Sequence, residues 1–173
     1  HLDTLGGSET YTYTLIKGLK KLGHNVELLV GQPNRLGIMS DKIEDDFKIR
    51  ANRLTTSYDA CFLSHQSSVK SYISFLKGKP LNNVFQIVHG TIPPEEQPVI
   101  YDGLQYIAIS KEVQKYLKTK YGLDSVYISN FVDLDRFYLK ETRPKLKSCL
   151  SLSQSQSFNE ILSNICAKKN LIF

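Results

Sequence analysis

A chain of 173 residues and 19.7 kDa has room for one domain, or one domain and a remnant, but not for two of full size. Apolar residues at 41%, charged residues at 23% and the lack of Trp exclude disordered, collagen-like and disulfide-scaffold chains and leave a globular core. Twenty-two Lys and Arg against 17 Asp and Glu give a net charge of +5 and a pI near 9.0, which suits an anionic neighbour about as well as a solvated basic surface.

Uncharged apolar runs fall far short of the roughly 20 residues that cross a bilayer, and no signal-peptide pattern is visible in the sequence, which fits one removed as well as one never present. Cys61, Cys149 and Cys166 are odd in number and lack C-x-x-C spacing, and no Asn-x-Ser/Thr acceptor occurs. These features predict a reducing, cytoplasmic address and no zinc site.

In chain order, Tyr11, Leu15, Ile16, Leu19 and Leu22 mark a helical stripe. Ser8 is its expected cap, Glu9 suits the positive end of its dipole, and Gly23-His24 its stop. Residues 26–30 then form a short apolar run, as expected of a strand buried on both faces. The stretch from 31 to 58, with Pro33, Gly37 and acidic Glu44, Asp45 and Asp46, reads as a mobile excursion with an edge strand at 47–50. Further strand-like runs follow at 60–63, 84–88, 106–109 and 126–128. Between them Val69, Ile73 and Leu76 mark one helix. Val113, Tyr116 and Leu117 mark another, capped by Ser110 and closed by Gly122. The alternation predicts an α/β fold with a Rossmann-like, doubly wound and mostly parallel sheet.

The ends extend that expectation. Gly6-Gly7 stands almost at the start, so the strand that normally delivers a glycine turn is expected to be missing. A basic linker with Pro144 at 140–147 separates a first domain, 1–139, from the incomplete start of a second at 148–173. The second would hold a strand at 149–152, a helix through Phe158, Ile161, Leu162 and Ile165, and a strand beginning at 171. The chain therefore reads as a fragment.

Several residues could carry chemistry. Gly6-Gly7-Ser8-Glu9 opens the first helix, where glycines let a ligand approach and unpaired amides with the dipole favour a phosphate. A plain connecting turn accounts for it about equally well. His89-Gly90 directly follows the strand ending at Val88, at the carboxyl edge where open α/β sheets bind ligands. The imidazole can donate to a sugar hydroxyl or phosphate, and Gly90 leaves space beside it; a loop-capping His is the alternative. His65 also lies just past a strand, His24 suits a helix end, and Ser110 faces either a ligand or its own helix amides.

Asp133-Leu134-Asp135 spells D-x-D, but two carboxylates in a connecting segment are a poor cation site. No G-x-G-x-x-G, G-x-S-x-G or G-x-x-x-x-G-K-[ST] occurs, which disfavours dehydrogenase, hydrolase and P-loop readings. Lys111, Lys115, Lys118 and Lys120, with the lysines of the first helix, form a solvated face more readily than a nucleic-acid surface.

The order of these pieces resembles the amino-terminal domain of family 4 glycosyltransferases over roughly residues 4–140. The resemblance lies in L-G-G-S-E-T-Y with its helix and G-H-N-V-E-L-L-V, in Val88-His89-Gly90, in Y-I-A-I-S ending at Ser110, and in Ser129-Asn130-Phe131-Val132-Asp133 leading to Arg136-Phe137. Phe131 departs from the glycine usual there. The resemblance implies a GT-B architecture and retaining sugar transfer from a nucleotide-sugar donor, with this domain on the acceptor side. The acceptor would be a glycan, a lipid or a small molecule. By carry-over Gly6 and Gly7 would offer amides to a phosphate, His89 would be the catalytic residue contacting the donor sugar near the reacting carbon, Ser110 would shape the cleft wall, and Gly90 and Asn130 would join these as substrate- or phosphate-binding residues. No metal and no further cofactor are implied, and the chain alone is expected to be inactive. The competing reading is a non-catalytic, anion-binding or membrane-docking module at the inner face of a membrane.

Overall fold

The computed structural model describes residues 6–29, 38–49, 58–135, 137 and 155–169. The chain divides into two compact units, His1–Asp133 and Leu134–Phe173. In the first, four strands, β1 (Cys61–Ser64), β2 (Val84–Val88), β3 (Gln105–Ala108) and β4 (Val126–Tyr127), form one all-parallel sheet in the order β1-β2-β3-β4. Helices α1 (Gly7–Lys21) and α2 (Ile38–Phe47) precede the sheet. Helix α3 (Gln66–Leu76) links β1 to β2, and α4 (Lys111–Tyr121) links β3 to β4. The β2–β3 connection holds only the 3₁₀ turn Pro94–Glu96.

Alternation along β2 divides the core in two. Val84 and Val88 pack with Val69, Tyr72 and Leu76 of α3 and Val113 and Leu117 of α4. Ile87 and Phe85 turn the other way, onto Tyr11 and Leu15 of α1 with Ile107. Because strand side chains alternate between faces, a parallel sheet with apolar residues at every position requires helices on both faces. This is a Rossmann-like α/β architecture. Gln86 is the polar exception in β2, fully buried yet satisfied. Its Nε2 donates to the Gln97 carbonyl at 3.1 Å, and its Oε1 accepts from the Val99 amide at 2.8 Å.

Helix ends follow local chemistry. α1 stops in a Schellman turn, with Gly23 at φ 86° and the amides of Gly23 and His24 returning to the carbonyls of Lys20 and Leu19. Ser110 Oγ accepts from the Val113 amide at 3.1 Å, and Gly122 ends α4 at φ 70°.

Four expectations need correction. Ser8 does not cap α1; Gly6 is the N-cap, no side chain caps it, and the Ser8 hydroxyl donates to Glu9 Oε2. The described part of the 26–30 run, residues 26–29, forms no strand. Its side chains alternate between half-buried and exposed rather than being covered on both faces. Val26 and Leu28 pack instead on Ile16, Met39, Ile43 and Ile49. The excursion contains α2, which covers Phe47 and replaces the expected edge strand. Met39, Ile43 and Phe47, four apart, form its apolar stripe, and Lys48 at φ 54° breaks from the helix just beyond it. Finally, the strands start or stop a residue away from the runs at 60–63, 106–109 and 126–128. The expected strands at 149–152 and 171–173, together with Cys149 and Arg136, lie outside the described residues.

In the second unit, α5 (Gln156–Lys168) starts at Ser155, whose Oγ accepts from the Phe158 amide. No helix among the described residues is long and apolar enough to cross a membrane.

Candidate functional site

The amino end of α1 opens on a concavity of about 300 Å³ lined by Gly6, Gly7, Thr10, Tyr11, Thr14, Asn130 and Phe131. The loop after β4 thus brings Asn130 to the helix start the sequence marked. Among the described residues, a methyl group added at Gly7 would meet nothing within 4 Å, which leaves space beside this backbone for a ligand. The Thr10 hydroxyl donates to the Gly6 carbonyl at 2.9 Å and that of Thr14 to the Thr10 carbonyl at 2.9 Å. With those hydroxyls turned onto the helix and no side-chain cap, the polar character of the wall comes from backbone amides, the positive end of the dipole and Asn130.

His89 lies elsewhere. It does not line the concavity; the Tyr11 ring, which does, packs edge-on against the imidazole with centroids 5.0 Å apart and against Phe131 at 4.5 Å on another side. The glycines and the imidazole are therefore neighbours through Tyr11 rather than two walls of one gap. Tyr11 is 7% exposed, and burial pushes its phenol up, so it stays protonated at neutral pH.

A second polar group gathers at the carboxyl ends of β1 and β2. Ser64 Oγ and His89 Nε2 lie 3.3 Å apart, the donor depending on the imidazole tautomer. One Glu96 oxygen accepts from the His89 backbone amide at 3.1 Å, and the other lies 3.1 Å from His65 Nε2. The two imidazole centroids are 6.4 Å apart. Burial pushes the His89 pKa down, against the pull of Glu96, with His65 adding to the depression and Glu9 opposing it. Burial opposes the charge of Glu96, but its hydrogen bond from His65 and the nearby His89 hold its carboxyl below the ordinary value.

His65 has φ 69° and ψ 148°, close to a region essentially confined to glycine that costs other residues about 1–3 kcal/mol. Lys77, at φ 49° and ψ 45°, sits by contrast in the ordinary left-handed well of a helix end. Gly90 stands beside this cluster, and a methyl group there would meet Pro93 at 3.7 Å and Glu96 at 3.9 Å, ordinary contacts. Ser110 is at the equivalent edge of β3, with its hydroxyl engaged in the α4 cap.

No sequence pattern singles out Glu96, and Tyr11 stands out only as the first residue of the α1 stripe. The one available signal was Gln86 inside an apolar strand, because a buried amide must find partners. Those partners draw the loop after β2 back over the sheet. Gln97 continues the network, its Oε1 accepting from the hydroxyls of Tyr116 and Tyr121 and its Nε2 donating to the carbonyls of Thr91 and Pro93. Asp133 of the D-x-D is held by Lys17 Nζ at 2.7 and 2.9 Å. Cys61 is a half-buried free thiol whose pKa burial pushes up to about 11, too high for a nucleophile at neutral pH.

No protein-family model, curated protein or solved structure matches the chain. What the fold defines is a class, a Rossmann-like α/β unit.

Proposed function

We propose that this unit binds the phosphate of a nucleotide sugar at the start of α1 and forms the acceptor-side wall of a sugar-transfer cleft. The observation that carries the reading is the uncapped glycine helix start, open beside Gly7 and joined by Asn130. Backbone amides and a helix dipole stabilise an anion without a metal. The resemblance to family 4 glycosyltransferases, resting on the residues quoted above, supplies the retaining chemistry and the sugar class. In this reading a sugar meets Tyr11 first, and His89 acts through the imidazole edge behind that ring.

Among the described residues the seven that line the concavity include no Lys or Arg. The developing charge of a diphosphate leaving group thus lacks a side-chain cation here, and turnover by this chain alone is expected to be undetectable. Calorimetric titration with UDP-glucose and GDP-mannose tests the binding step. Saturable binding that Gly7→Val abolishes while the fold persists agrees with the proposal; no binding, or binding indifferent to Gly7→Val, refutes it.

A second reading is favoured by one surface. Lys111 Nζ sits 4.4 Å over the Tyr127 ring, and Val126, Tyr127 and Ile128 are exposed beside a helix carrying Lys115, Lys118 and Lys120. Basic heads around an exposed apolar strip suit an acidic lipid surface. Sedimentation with anionic vesicles, lost at high salt, would favour this docking role; equal partition to neutral vesicles would exclude it.

A further inference from the structure

A histidine near a glycine-only conformation needs a reason, and the surroundings of His65 supply one. The strained residue joins the end of β1 directly to the first turn of α3, with its carbonyl already accepting from the Val69 amide. Its ring does not point to solvent: His65 and Glu96 side chains are 13% and 12% exposed, and Nε2 lies 3.1 Å from Oε1. The remaining oxygen of the same carboxylate takes the backbone amide of His89. One carboxylate therefore ties the turn after β1 to the turn after β2.

Glu96 is itself braced. The segment just beyond it is fixed by Gln86, whose amide bonds the Gln97 carbonyl and the Val99 amide, and by the Tyr116 and Tyr121 hydroxyls on Gln97. Such bracing is more than a loop anchor requires. A glycine at 65 would make the same turn without strain, whereas an imidazole is needed to reach Glu96.

We propose that Glu96 and the strained His65 are positioning residues for His89, fixing its imidazole against Ser64 at the carboxyl edge of the sheet so that it meets a ligand in one orientation. The proposal rests on the sugar-phosphate reading only for the ligand. The device itself stands on the bonds and on the backbone of His65. The groups facing His89 are Glu96 from the 3₁₀ turn, His65 and Ser64 from the end of β1, and Glu9 and Tyr11 from α1.

Two variants of the full chain test it, His65→Gly and Glu96→Gln, read by thermal melting and by long-range ¹H–¹⁵N spectra of the His89 ring across pH. Strain kept for a purpose is released when the purpose is removed, so His65→Gly is expected to melt at or above the parent temperature while the His89 ring resonances shift. Glu96→Gln removes the negative charge that pulls the His89 pKa up against burial, so its titration midpoint falls further. Clear destabilisation by His65→Gly, or a His89 ring spectrum and midpoint unchanged in both variants, overturns the proposal. His65→Gly leaves the carboxylate in place and relaxes the backbone, so it decides the matter even if Glu96→Gln does not fold. Addition of UDP-glucose separates the two claims. If His65→Gly and Glu96→Gln behave as expected and the parent Gly7 and Ser8 amides ignore the nucleotide sugar, the positioning device is upheld and the sugar-phosphate reading fails.

Discussion

The start of α1 and the carboxyl ends of β1 and β2 lie on two sides of one phenol ring and treat their polar groups in opposite ways. At the helix start, among the described residues, no side chain caps the backbone and open space adjoins Gly7. At the strand ends Ser64, His65, His89 and Glu96 bond to one another. A binding surface keeps donors uncommitted, because each internal bond has to be broken before a ligand can use the group. A positioning cluster does the reverse and uses its bonds to fix one orientation. In the proposed reading the first region binds and the second orients.

The largest effect is expected at the ring that separates them. Tyr11→Ala removes a 93%-buried aromatic (7% exposed) from the cluster with Ile87 and Ile107, and such truncations cost about 3–5 kcal/mol. Urea denaturation should show a loss of that order, and Tyr11→Phe should show little. Equal, small losses for both would mean that the ring is not the wall between two regions.

Next comes pH, which reaches the strand-end cluster through His89 and Glu96. The folded-state pKa of His89 is lowered from 6.5, so the unfolded chain takes up the proton first. Stability is full above about pH 6.5 and declines as pH falls through the lower folded value. Glu96, lowered from 4.5, adds a second loss of the same sign below about pH 4.5. Melting temperatures from pH 8 to pH 3 should fall in those two windows, with the first step missing in His89→Gln. A first step that persists in that variant would place the titration elsewhere.

Ser110 offers a third strand end for comparison. Its hydroxyl caps α4, so Ser110→Ala should cost about 1 kcal/mol and leave nucleotide-sugar affinity unchanged. A drop in affinity without a stability loss would return Ser110 to the binding surface. The smallest stability effect belongs to Lys17→Ala, since the pair with Asp133 is partly exposed, at 30% and 17%, and such pairs contribute about 1 kcal/mol or less.

Legibility in the sequence followed the range of the forces involved. β2 was read to the residue because Val84–Val88 is uniformly apolar apart from Gln86, and its end placed His89 at the sheet edge. The α4 cap and stop were legible because Ser110 and Gly122 act within one turn. Residues 26–29 were misread because an apolar run does not say whether a partner strand will lie beside it; here Met39 and Ile43 of α2 cover it instead. α2 itself was hidden by Glu44, Asp45 and Asp46, which lie among its apolar positions and look like loop. Asn130 lines the concavity at the helix start, a meeting of distant segments that no local pattern announces, and the place of Tyr11 between Gly7 and His89 depends on how far α1 slides across the sheet. That distance is set by packing, and no local pattern reports it. Glu96 was invisible for the same reason, its partners standing seven and thirty-one positions away.

The central claim is that the backbone at the start of α1 is an anion site, and amide chemical shifts read it directly. UDP-glucose titrated into the ¹⁵N-labelled chain should shift the Gly7 and Ser8 amides and the Asn130 side-chain amide along one saturable curve that weakens as salt rises. Stationary Gly7 and Ser8 resonances at millimolar nucleotide sugar, or shifts confined to α4 and β4, would contradict it.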